Sequence, residues 1–384
     1  MEKLPSKVRD CIGRNLYQQK QHPLCLIKDF IYSYPKFAHF TKFDDLEPVV
    51  DVYNNFDALL IPADHPSRSK SDTYYVDDTH VMRTQTSAHQ NQLLKAGHKQ
   101  FLVTGDVYRK DEVDRTHYPV FHQMEGVCVL DDEDDEDGDE VDGSNNKIYC
   151  SSSSSSSSGS NKTENALKAT LAGLVEYLFP GCQYRFNNDY FPFTNPSFEV
   201  EVEFTISGKK RWLEVLGCGV VQPQIMSNCG LHNKKAWAFG LGLERLAMIA
   251  FNIQDIRLFW IRNDKFDKQF AAVNNSNILT TKFKPFSVLP NLSRDVSFWL
   301  PMDGSYVEND FYEQARDYLN DVVESICLID KFTHPKTQRQ SVTYRFVLSS
   351  YDDNLTDPAQ FTQLANQLMS DFRQELLSRG YAMR

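Results

Sequence analysis

Three features that would assign this chain to a special class of protein are missing from its sequence. No apolar run approaches the roughly eighteen residues that a membrane-spanning helix needs, so we expect no membrane protein. The eight cysteines include no CxxC pair, which argues against a structural zinc site or disulfide scaffold and favours a reducing compartment. The first twenty residues show no long, acid-free leader rich in arginine and serine.

The composition is otherwise that of an ordinary globular protein, but the charge is unevenly placed. Hydrophobic residues make up 41% of the chain and charged residues 24%, as in ordinary globular proteins. A length of 384 residues is enough for two domains with separate cores. The formal net charge is −11, yet residues 131–142 hold ten acids and no bases, so the other 372 residues sum to −1. A serine run at 151–158 follows. We therefore expect a disordered insertion at about 131–163, tolerated at an exposed turn.

Residues 101–130 read as two apolar strands joined by a loop rich in charge and aromatic rings. The first strand ends at Arg109, and the second runs from Phe121 through Glu125. A guanidinium can grip a phosphate, a ring can stack on a purine, and a carboxylate can accept hydrogen bonds from an amino group. The segment therefore suits a site for a nucleotide and a small amino compound, although an ordinary charged hairpin has the same pattern.

A second segment, GLGLERLAM at 240–248, supplies what such a site still lacks. Two glycines clear space before an apolar helical pattern, and Arg245 lies on its first turns, where the helix dipole also favours an anion. Alone, this pattern is weak evidence for phosphate binding. Each arginine has the alternative of a surface ion pair.

Together the two segments resemble the second and third signature motifs of the class II aminoacyl-tRNA synthetases. Their residue-by-residue sequence most resembles that of the single-chain phenylalanyl-tRNA synthetases of mitochondria. The resemblance covers nearly the whole chain except the acidic insertion. The segments that carry it are TYY (73–75), RTQTSAHQ (83–90), GDVYRKDEVDRTHYPVFHQMEG (105–126), FPFTNPSFEVEV (191–202), WLEVLGCG (212–219) and WAFGLGLERLAM (237–248).

The fold expected from this resemblance is α+β. A catalytic domain at 1–265 would hold the class II antiparallel sheet flanked by helices, and a linker would follow at 266–281. From about residue 282 the pattern runs strand, helix, strand, strand, helix, strand, which is the ferredoxin-like βαββαβ order. The resemblance makes residues 282–384 an anticodon-binding domain.

Local patterns predict several elements of the catalytic part. Apolar residues are spaced for one buried helical face within residues 1–40 at Leu24, Ile27, Phe30 and Ile31. Residues 49–62 look strand-rich. The other expected elements are a loop that caps a helix within 83–96, a helix at 166–179, a half-exposed strand at 198–206, a central strand at 212–218 and a glycine-led helix from about 243.

The reaction implied by the resemblance is the activation of L-phenylalanine by ATP, with Mg²⁺ as cofactor, and transfer to the 3′-terminal ribose of tRNA(Phe). Arg109 would clamp the α-phosphate and the carboxylate, and Arg245 the γ-phosphate. Two guanidinium groups 136 positions apart would thus converge on one triphosphate. Phe121 would stack on adenine, and the other residues beside the nucleotide would be Thr116, His117 and Tyr118.

Amino-acid recognition would lie between three segments. Gln123 and Glu125 would take the ammonium group, with a structural hydrogen-bond network as the alternative. Phe191 and Phe193 flank a proline, so their rings can face one cavity, although aromatic residues at this spacing are more often core. A small Ala238 leaves room for the phenyl ring but offers a hydroxyl no partner, so discrimination against tyrosine should be incomplete. The remaining pocket residues would be Ser87, Ala88, His89, Gln90, Met124 and Phe239.

Two positions carry specific expectations. Glu214 lies on an apolar strand, which predicts a buried carboxylate that contacts substrate or metal, or else forms an ion pair. Gln85 stands where the family usually has histidine in RTHTSAH. Because glutamine cannot carry positive charge, we expect activity to be lower or less dependent on pH.

The C-terminal domain has a formal charge of −3, from 11 basic and 14 acidic residues, so bulk electrostatics do not indicate RNA binding. A local basic cluster around an aromatic-containing turn is the candidate tRNA contact, with a solvated charged face as the alternative. Its members are Lys331, Lys336, Arg339 and Arg345.

The rival function is a catalytically inactive synthetase paralogue that acts as an RNA-binding or regulatory protein. Retention of the arginines, Glu125 and the two pocket phenylalanines argues against it, since a binding role would not need them all. A seryl-type enzyme is disfavoured by FPFTNPS and the ferredoxin-like tail. The resemblance also implies the mitochondrial matrix, and a monomer whose tail domain swings to reach both ends of the tRNA.

Overall fold

Three β-sheets organise the part of the chain that the computed structural model describes, namely residues 4–130, 158–206, 209–286, 289–352 and 354–384. The first strands are Thr41–Phe43 (β1), Val49–Asp51 (β2), His80–Met82 (β3), Gln100–Tyr108 (β4), Val120–Val129 (β5), Tyr184–Asp189 (β6), Thr194–Ile206 (β7), Lys209–Val221 (β8) and Ala236–Gly242 (β9). The first helices are Ser6–Cys11 (α1), Pro23–Tyr32 (α2), Val52–Asn55 (α3), Gln90–Lys95 (α4), Ser158–Leu178 (α5), Pro223–Asn228 (α6), Leu243–Phe251 (α7) and Asp264–Phe270 (α8). None of the helices in these residues is long and apolar enough to cross a membrane.

The largest sheet brings the two signature segments side by side. Its strand order is β1-β4-β5-β9-β8-β7-β6, and it is antiparallel except for the β1–β4 pair at one edge. β4 and β5 form the hairpin predicted from the sequence, with Val103 opposite Glu125. β5 also pairs with β9, which places Glu125 opposite Gly240. The carboxylate of the hairpin and the glycine-led segment therefore meet on neighbouring strands.

Helices α2, α5 and α7 pack with this sheet around the main core. α2 lies against α7, and α5 lies against β8 and β9. The four apolar side chains whose spacing predicted one buried helix face are all buried: Leu24, Ile27, Phe30 and Ile31. Phe37 stacks on Phe239 with ring centroids 5.6 Å apart, so a connecting turn after α2 is tied directly to β9.

Two expectations for this part are wrong. Residues 49–62 hold one short strand, β2, followed by α3 and a 3₁₀ turn at Asp57–Leu59. The cause is a helix cap, since the Asp51 carboxylate accepts a 2.6 Å hydrogen bond from the backbone N–H of Asn54. α5 begins at Ser158, so residues 158–163 are helical rather than disordered, with Thr163 buried. The rest of the predicted insertion, 131–157, lies outside the described residues.

The C-terminal domain has the predicted βαββαβ order. Its elements are Leu292–Trp299 (β10), Glu308–Leu319 (α9), Val323–Thr333 (β11), Gln340–Leu348 (β12), Pro358–Ser378 (α10) and Ala382–Met383 (β13). The sheet order is β11-β12-β10-β13, with antiparallel neighbours, as the ferredoxin-like fold requires. Phe298, Phe311 and Phe372 are fully buried between the sheet and the helices.

Candidate active site

Two cavities at the end of the β4–β5 hairpin share five lining residues and form the lobes of one cleft. The larger lobe has a volume of about 580 Å³ and the smaller about 270 Å³. The shared residues are Arg109, Asp111, Gln123, Glu214 and Gly240. The sequence-predicted amino-acid groups mostly line the larger lobe, and the predicted nucleotide groups line the smaller one.

Arg109 lines both lobes and lies where they join. It directly follows Tyr108, the last residue of β4. Its Nε donates a 2.7 Å hydrogen bond to the backbone oxygen of Thr84, and its guanidinium lies 5.4 Å from the ring centroid of Phe121. Its two Nη groups have no hydrogen-bond partner among the described residues. The side chain is thus fixed at Nε while the outer edge of its planar fork stays available for an anion.

Arg245 lies in the first turn of α7 and lines the smaller lobe. Its Nη1 donates to the backbone oxygen of Glu214 at 3.1 Å and to Glu214 Oε2 at 3.2 Å. Glu214 also lines both lobes, so the two predicted guanidinium groups converge on one cavity, in which they share the Glu214 carboxylate as a neighbour.

The expectation of a buried carboxylate at Glu214 is wrong, because its side chain is 47% exposed. The register of β7 against β8 explains the difference. Glu201 pairs with Glu214 and Val200 with Leu216, so the ladder skips Val215. A bulge of this kind re-aims the side chains beside it, and here it leaves Glu214 in the cleft.

A buried pair joins the strand that carries the ammonium-binding candidates to the helix that carries Arg245. His122 Nδ1 lies 2.6 Å from Glu244 Oε1, and the His122 backbone N–H donates to Glu244 Oε2 at 2.8 Å. The His122 side chain is fully buried and that of Glu244 is 3% exposed. Because Glu244 immediately precedes Arg245, this pair fixes the first turn of α7 against β5.

Glu125 is a buried carboxylate facing the larger lobe. Burial raises its pKa to about 8, against the opposing effect of a hydrogen bond with Ser87. Its Oε2 atom is buried and has no hydrogen-bond partner in the described part of the chain. Nearby, the Gln123 side-chain oxygen accepts a 2.9 Å hydrogen bond from the Thr86 backbone N–H. A buried oxygen that lacks a donor is the arrangement that an ammonium group would satisfy.

Aromatic side chains form the opposite wall of the larger lobe. Phe191 and Phe193 stack with centroids 5.8 Å apart and an interplanar angle of 11°. A side chain at Gly217 would collide with Phe191, since a Cβ there would lie 2.8 Å from its Cζ. Ala238 and Phe239 also line this lobe. The wall is therefore apolar, and a glycine on β8 makes room for it.

Other predicted amino-acid contacts lie elsewhere. Ser87 lines the larger lobe, but the structure does not bring Ala88, His89, Gln90 or Met124 to it. His89 Nε2 lies 3.0 Å from Nη1 of the fully buried Arg83, and burial and this guanidinium lower the pKa of His89 to about 4. A 3₁₀ turn at Thr86–His89 sets this orientation, which the expected helix start did not predict.

All four predicted neighbours of the nucleotide line the smaller lobe: Thr116, His117, Tyr118 and Phe121. Asp114 holds the loop that carries the first three, because its carboxylate accepts hydrogen bonds from the backbone N–H groups of Thr116 at 2.6 Å and His117 at 2.8 Å. The same carboxylate lies 2.8 Å from His117 Nδ1 and raises the pKa of His117. A histidine charged over a wider pH range suits a phosphate site.

Residues of the C-terminal domain form ion pairs with the loop between β4 and β5. The Lys110 ammonium group lies 2.9 Å from Asp310 and 3.4 Å from Glu313, both on α9. Arg115 pairs with Glu324 at 2.7 Å. The loop between β4 and β5 and the C-terminal domain are thus held together by charge pairs.

The predicted tRNA cluster is only partly assembled. Lys331 and Lys336 are exposed, and the Arg339 guanidinium lies 5.2 Å from the Trp299 ring centroid. Arg345 instead lies along β12 and makes two hydrogen bonds to Asp295, at 2.8 and 2.9 Å. Its charge is therefore matched within the domain.

Several residues that line the larger lobe were given no site role from the sequence. Gln85, marked there as a departure from the family pattern, does line the larger lobe. The lining of that lobe also includes five residues to which the sequence patterns assigned no role, here called the rim: His65, Ser67, Asp72, Lys110 and Tyr190.

Comparison with known proteins agrees with this geometry. The family model described as "tRNA synthetases class II core domain (F)" matches residues 9–136 and 139–270, and that of the "Ferredoxin-fold anticodon binding domain" matches residues 287–379. The chain is 44% identical over 376 residues to the chloroplastic/mitochondrial phenylalanine–tRNA ligase of Arabidopsis thaliana, covering 97% of this chain and 80% of that protein. It is 45% identical over 371 residues to the mitochondrial phenylalanine–tRNA ligase of Mus musculus, covering 92% of this chain and 80% of that protein. For the mitochondrial enzyme of Saccharomyces cerevisiae the identity is 36% over 430 residues, covering 94% and 89%.

Proposed function

This chain belongs to the phenylalanine–tRNA ligase family of class II synthetases, and we propose that it activates L-phenylalanine with ATP and transfers it to tRNA(Phe) in mitochondria. The observation that carries the proposal is the two-lobed cleft: an apolar lobe with a buried carboxylate meets a lobe with two arginines, and Arg109 stands where they join. No observation favours the inactive paralogue.

Activation needs positioning more than covalent help from the protein. A carboxylate oxygen of phenylalanine attacks the α-phosphorus of ATP, the bond to the β-phosphate oxygen breaks, and pyrophosphate leaves. Arg109, held at Nε by Thr84, offers its free Nη groups to the substrate carboxylate and the α-phosphate. Arg245 exchanges its contacts with Glu214 for the γ-phosphate.

Phenylalanine would enter the larger lobe with its ammonium group toward Glu125 and Gln123. The unpartnered Oε2 of Glu125 gains the donor that it lacks. The phenyl ring meets the apolar wall of Phe191 and Phe193, with Ala238 at the lining beyond. Because such a wall rejects an added hydroxyl only modestly, tyrosine should be excluded incompletely.

The smaller lobe fits a magnesium–triphosphate complex. Mg²⁺ is usually held by one or two carboxylates together with substrate phosphates and water, and Glu214 and Asp111 both line this lobe. When bound, the ion would neutralise charge on the triphosphate. In the described residues, the cluster with metal-ligand spacing is a different one, Glu112, Asp114 and His117, and it does not include Glu214.

In the second step, a hydroxyl of the 3′-terminal ribose attacks the carbonyl carbon of the adenylate, and AMP leaves. We assign this chemistry to a catalytic domain at 1–265, joined by a linker at 266–281 to an anticodon-binding domain at 282–384. Lys331, Lys336 and Arg339 remain the proposed RNA contacts, with Arg345 a weaker candidate because Asp295 pairs with it. The enzyme would act as a monomer in the mitochondrial matrix, with the tail domain leaving the catalytic loop when tRNA binds.

Phenylalanine-dependent exchange of pyrophosphate into ATP tests the proposal with purified, folded protein. We expect exchange with phenylalanine and little or none with serine. Folded protein that binds tRNA(Phe) without any exchange would instead support the inactive paralogue.

A bulkier side chain at Ala238 tests the pocket assignment. Ala238→Val should raise the KM for phenylalanine about tenfold or more, since overpacking of a buried site costs about 1–3 kcal/mol. Unchanged activation of phenylalanine would contradict the assignment.

Small-angle scattering with and without tRNA(Phe) tests the movement of the tail domain, and one unchanged envelope would count against it.

A further inference from the structure

The larger lobe has a rim that neither phenylalanine nor ATP uses in the scheme above. The groups assigned to phenylalanine line the larger lobe, and the groups assigned to ATP line the smaller one. The lining residues that the scheme does not use include the five rim residues, His65, Ser67, Asp72, Lys110 and Tyr190. The transfer step has a third substrate, whose ribose must reach the junction of the lobes.

The polar members of this rim already have partners in the protein. His65 Nδ1 lies 2.7 Å from the Ser67 hydroxyl. The Asp72 carboxylate accepts a 2.7 Å hydrogen bond from Ser71. Lys110 is held by two carboxylates of α9. Each of these groups therefore already has at least one partner within the protein.

Tyr190 is different. Its side chain is 75% exposed, and neither its ring nor its hydroxyl has a partner among the described residues. Yet its backbone is fixed, because its N–H donates to Asp189 Oδ1 at 2.8 Å and the next N–H, of Phe191, donates to the Ser197 hydroxyl at 3.3 Å. A rigidly based aromatic ring at a cavity mouth gains most from a flat partner that arrives from solvent.

We infer that Tyr190 is a stacking platform for the terminal nucleoside of the tRNA acceptor end, an inference that rests on the proposed function. Every nucleobase presents a π-face, and stacking on an aromatic side chain does not need the tyrosine hydroxyl. The terminal base lies on Tyr190 while its ribose extends toward the junction at Arg109. The amino acid is the poorer occupant, because its ring is already enclosed by Phe191 and Phe193.

The test compares the two half-reactions in Tyr190→Ala, Tyr190→Phe and a matched control, Tyr53→Ala. Tyr53 is also exposed, at 47%, but lines neither lobe. Tyr190→Ala should lower kcat/KM for tRNA(Phe) in aminoacylation about 5- to 100-fold, the range expected for a lost base–aromatic stack. Pyrophosphate exchange should stay within twofold of the wild type. Tyr190→Phe and Tyr53→Ala should leave both reactions unchanged.

Binding of two RNAs makes the inference sharper. Tyr190→Ala should weaken binding of complete tRNA(Phe) but not of tRNA(Phe) lacking its terminal adenosine. Equal losses in exchange and aminoacylation would overturn the inference and make Tyr190 a cover for the amino acid. Unchanged aminoacylation in Tyr190→Ala would overturn it as well. Absence of exchange in the wild type would refute the proposed function itself, which is a distinct result.

Discussion

Arg245 and Glu214 face each other across the cleft, with Nη1 of the arginine 3.1 Å from the glutamate backbone oxygen and 3.2 Å from Oε2. Both side chains are close to half exposed. A pair of this kind contributes at most about 1 kcal/mol, so a triphosphate can displace it readily. Glu214 therefore orients Arg245 without competing strongly with ATP.

Replacing the guanidinium of Arg245 should lower the kcat/KM for ATP selectively. Arg245→Lys keeps the charge but loses the planar fork, so kcat/KM for ATP in pyrophosphate exchange should fall about 10- to 100-fold. The KM for phenylalanine should change less than twofold. Arg185→Lys is the matched control, because Arg185 pairs with Glu201 and stacks on Trp212, away from both lobes. Equal effects of the two substitutions would contradict the assignment of Arg245.

Binding of phenylalanine should release a proton. Burial raises the pKa of Glu125 to about 8, so the ligand-free protein keeps this carboxyl protonated at pH 7. The arriving ammonium group favours the ionised form, and close to one proton leaves per phenylalanine bound. Calorimetric titration at pH 7 in buffers of different ionisation enthalpy measures this number. Glu125→Gln should bind phenylalanine weakly and release none. A wild-type enthalpy independent of the buffer would refute the role of Glu125.

The same group should affect stability in a defined pH window. Between the ordinary glutamate pKa and about 8, the folded chain holds a proton on Glu125 that the unfolded chain has lost. The free energy of unfolding of the ligand-free protein should therefore fall as the pH rises through this window. Glu125→Gln should remove that part of the slope, which urea unfolding at several pH values would detect. An unchanged slope would argue against the raised pKa.

A methyl group at Gly217 should disturb the amino-acid lobe alone. The new Cβ would lie 2.8 Å from Phe191 Cζ, so the ring, which lines the larger lobe, must shift. We expect Gly217→Ala to raise the KM for phenylalanine about 5- to 100-fold, the equivalent of an overpacking cost of about 1–3 kcal/mol. The KM for ATP serves as the internal control and should stay within twofold. Loss of both affinities together would indicate a general distortion of β8.

Loss of the Glu244 carboxylate should destabilise the fold as well as the site. Glu244→Ala leaves the buried N–H and ring nitrogen of His122 without their acceptor, at a cost of about 3–5 kcal/mol. Urea unfolding should show this loss. Glu203→Ala removes a pair between a partly buried carboxylate and the exposed Lys210, and should cost less than about 1 kcal/mol. Similar values for the two variants would contradict the anchoring role of the buried pair.

Much of this architecture was readable from local sequence. The β4–β5 hairpin and the βαββαβ tail follow from alternation and turn residues, and the buried face of α2 follows from helical spacing. Arg109 and Arg245 both line the smaller lobe, while their convergence on one triphosphate stays a prediction. These are properties that short segments encode.

What failed depends on contacts between distant segments. Glu214 reads as buried because its neighbours are apolar, but a bulge in the β7–β8 ladder turns it to the cleft. His89 was predicted to contact the substrate, but its ring lies within hydrogen-bond distance of the fully buried Arg83. The rim residues come from separate loops, which only the folded sheet brings together. Side-chain direction, rather than element type, was the part that the sequence could not predict.

The most direct test of the central claim is a crystal structure with ATP and phenylalaninol, which lacks the carboxylate needed for reaction. We predict one triphosphate with α-phosphate oxygens within about 3.2 Å of Arg109 Nη atoms and γ-phosphate oxygens within the same distance of Arg245. The phenyl ring should lie against Phe191 and Phe193. A nucleotide that touches only one of the two arginines, or a phenyl ring outside the larger lobe, would contradict the account.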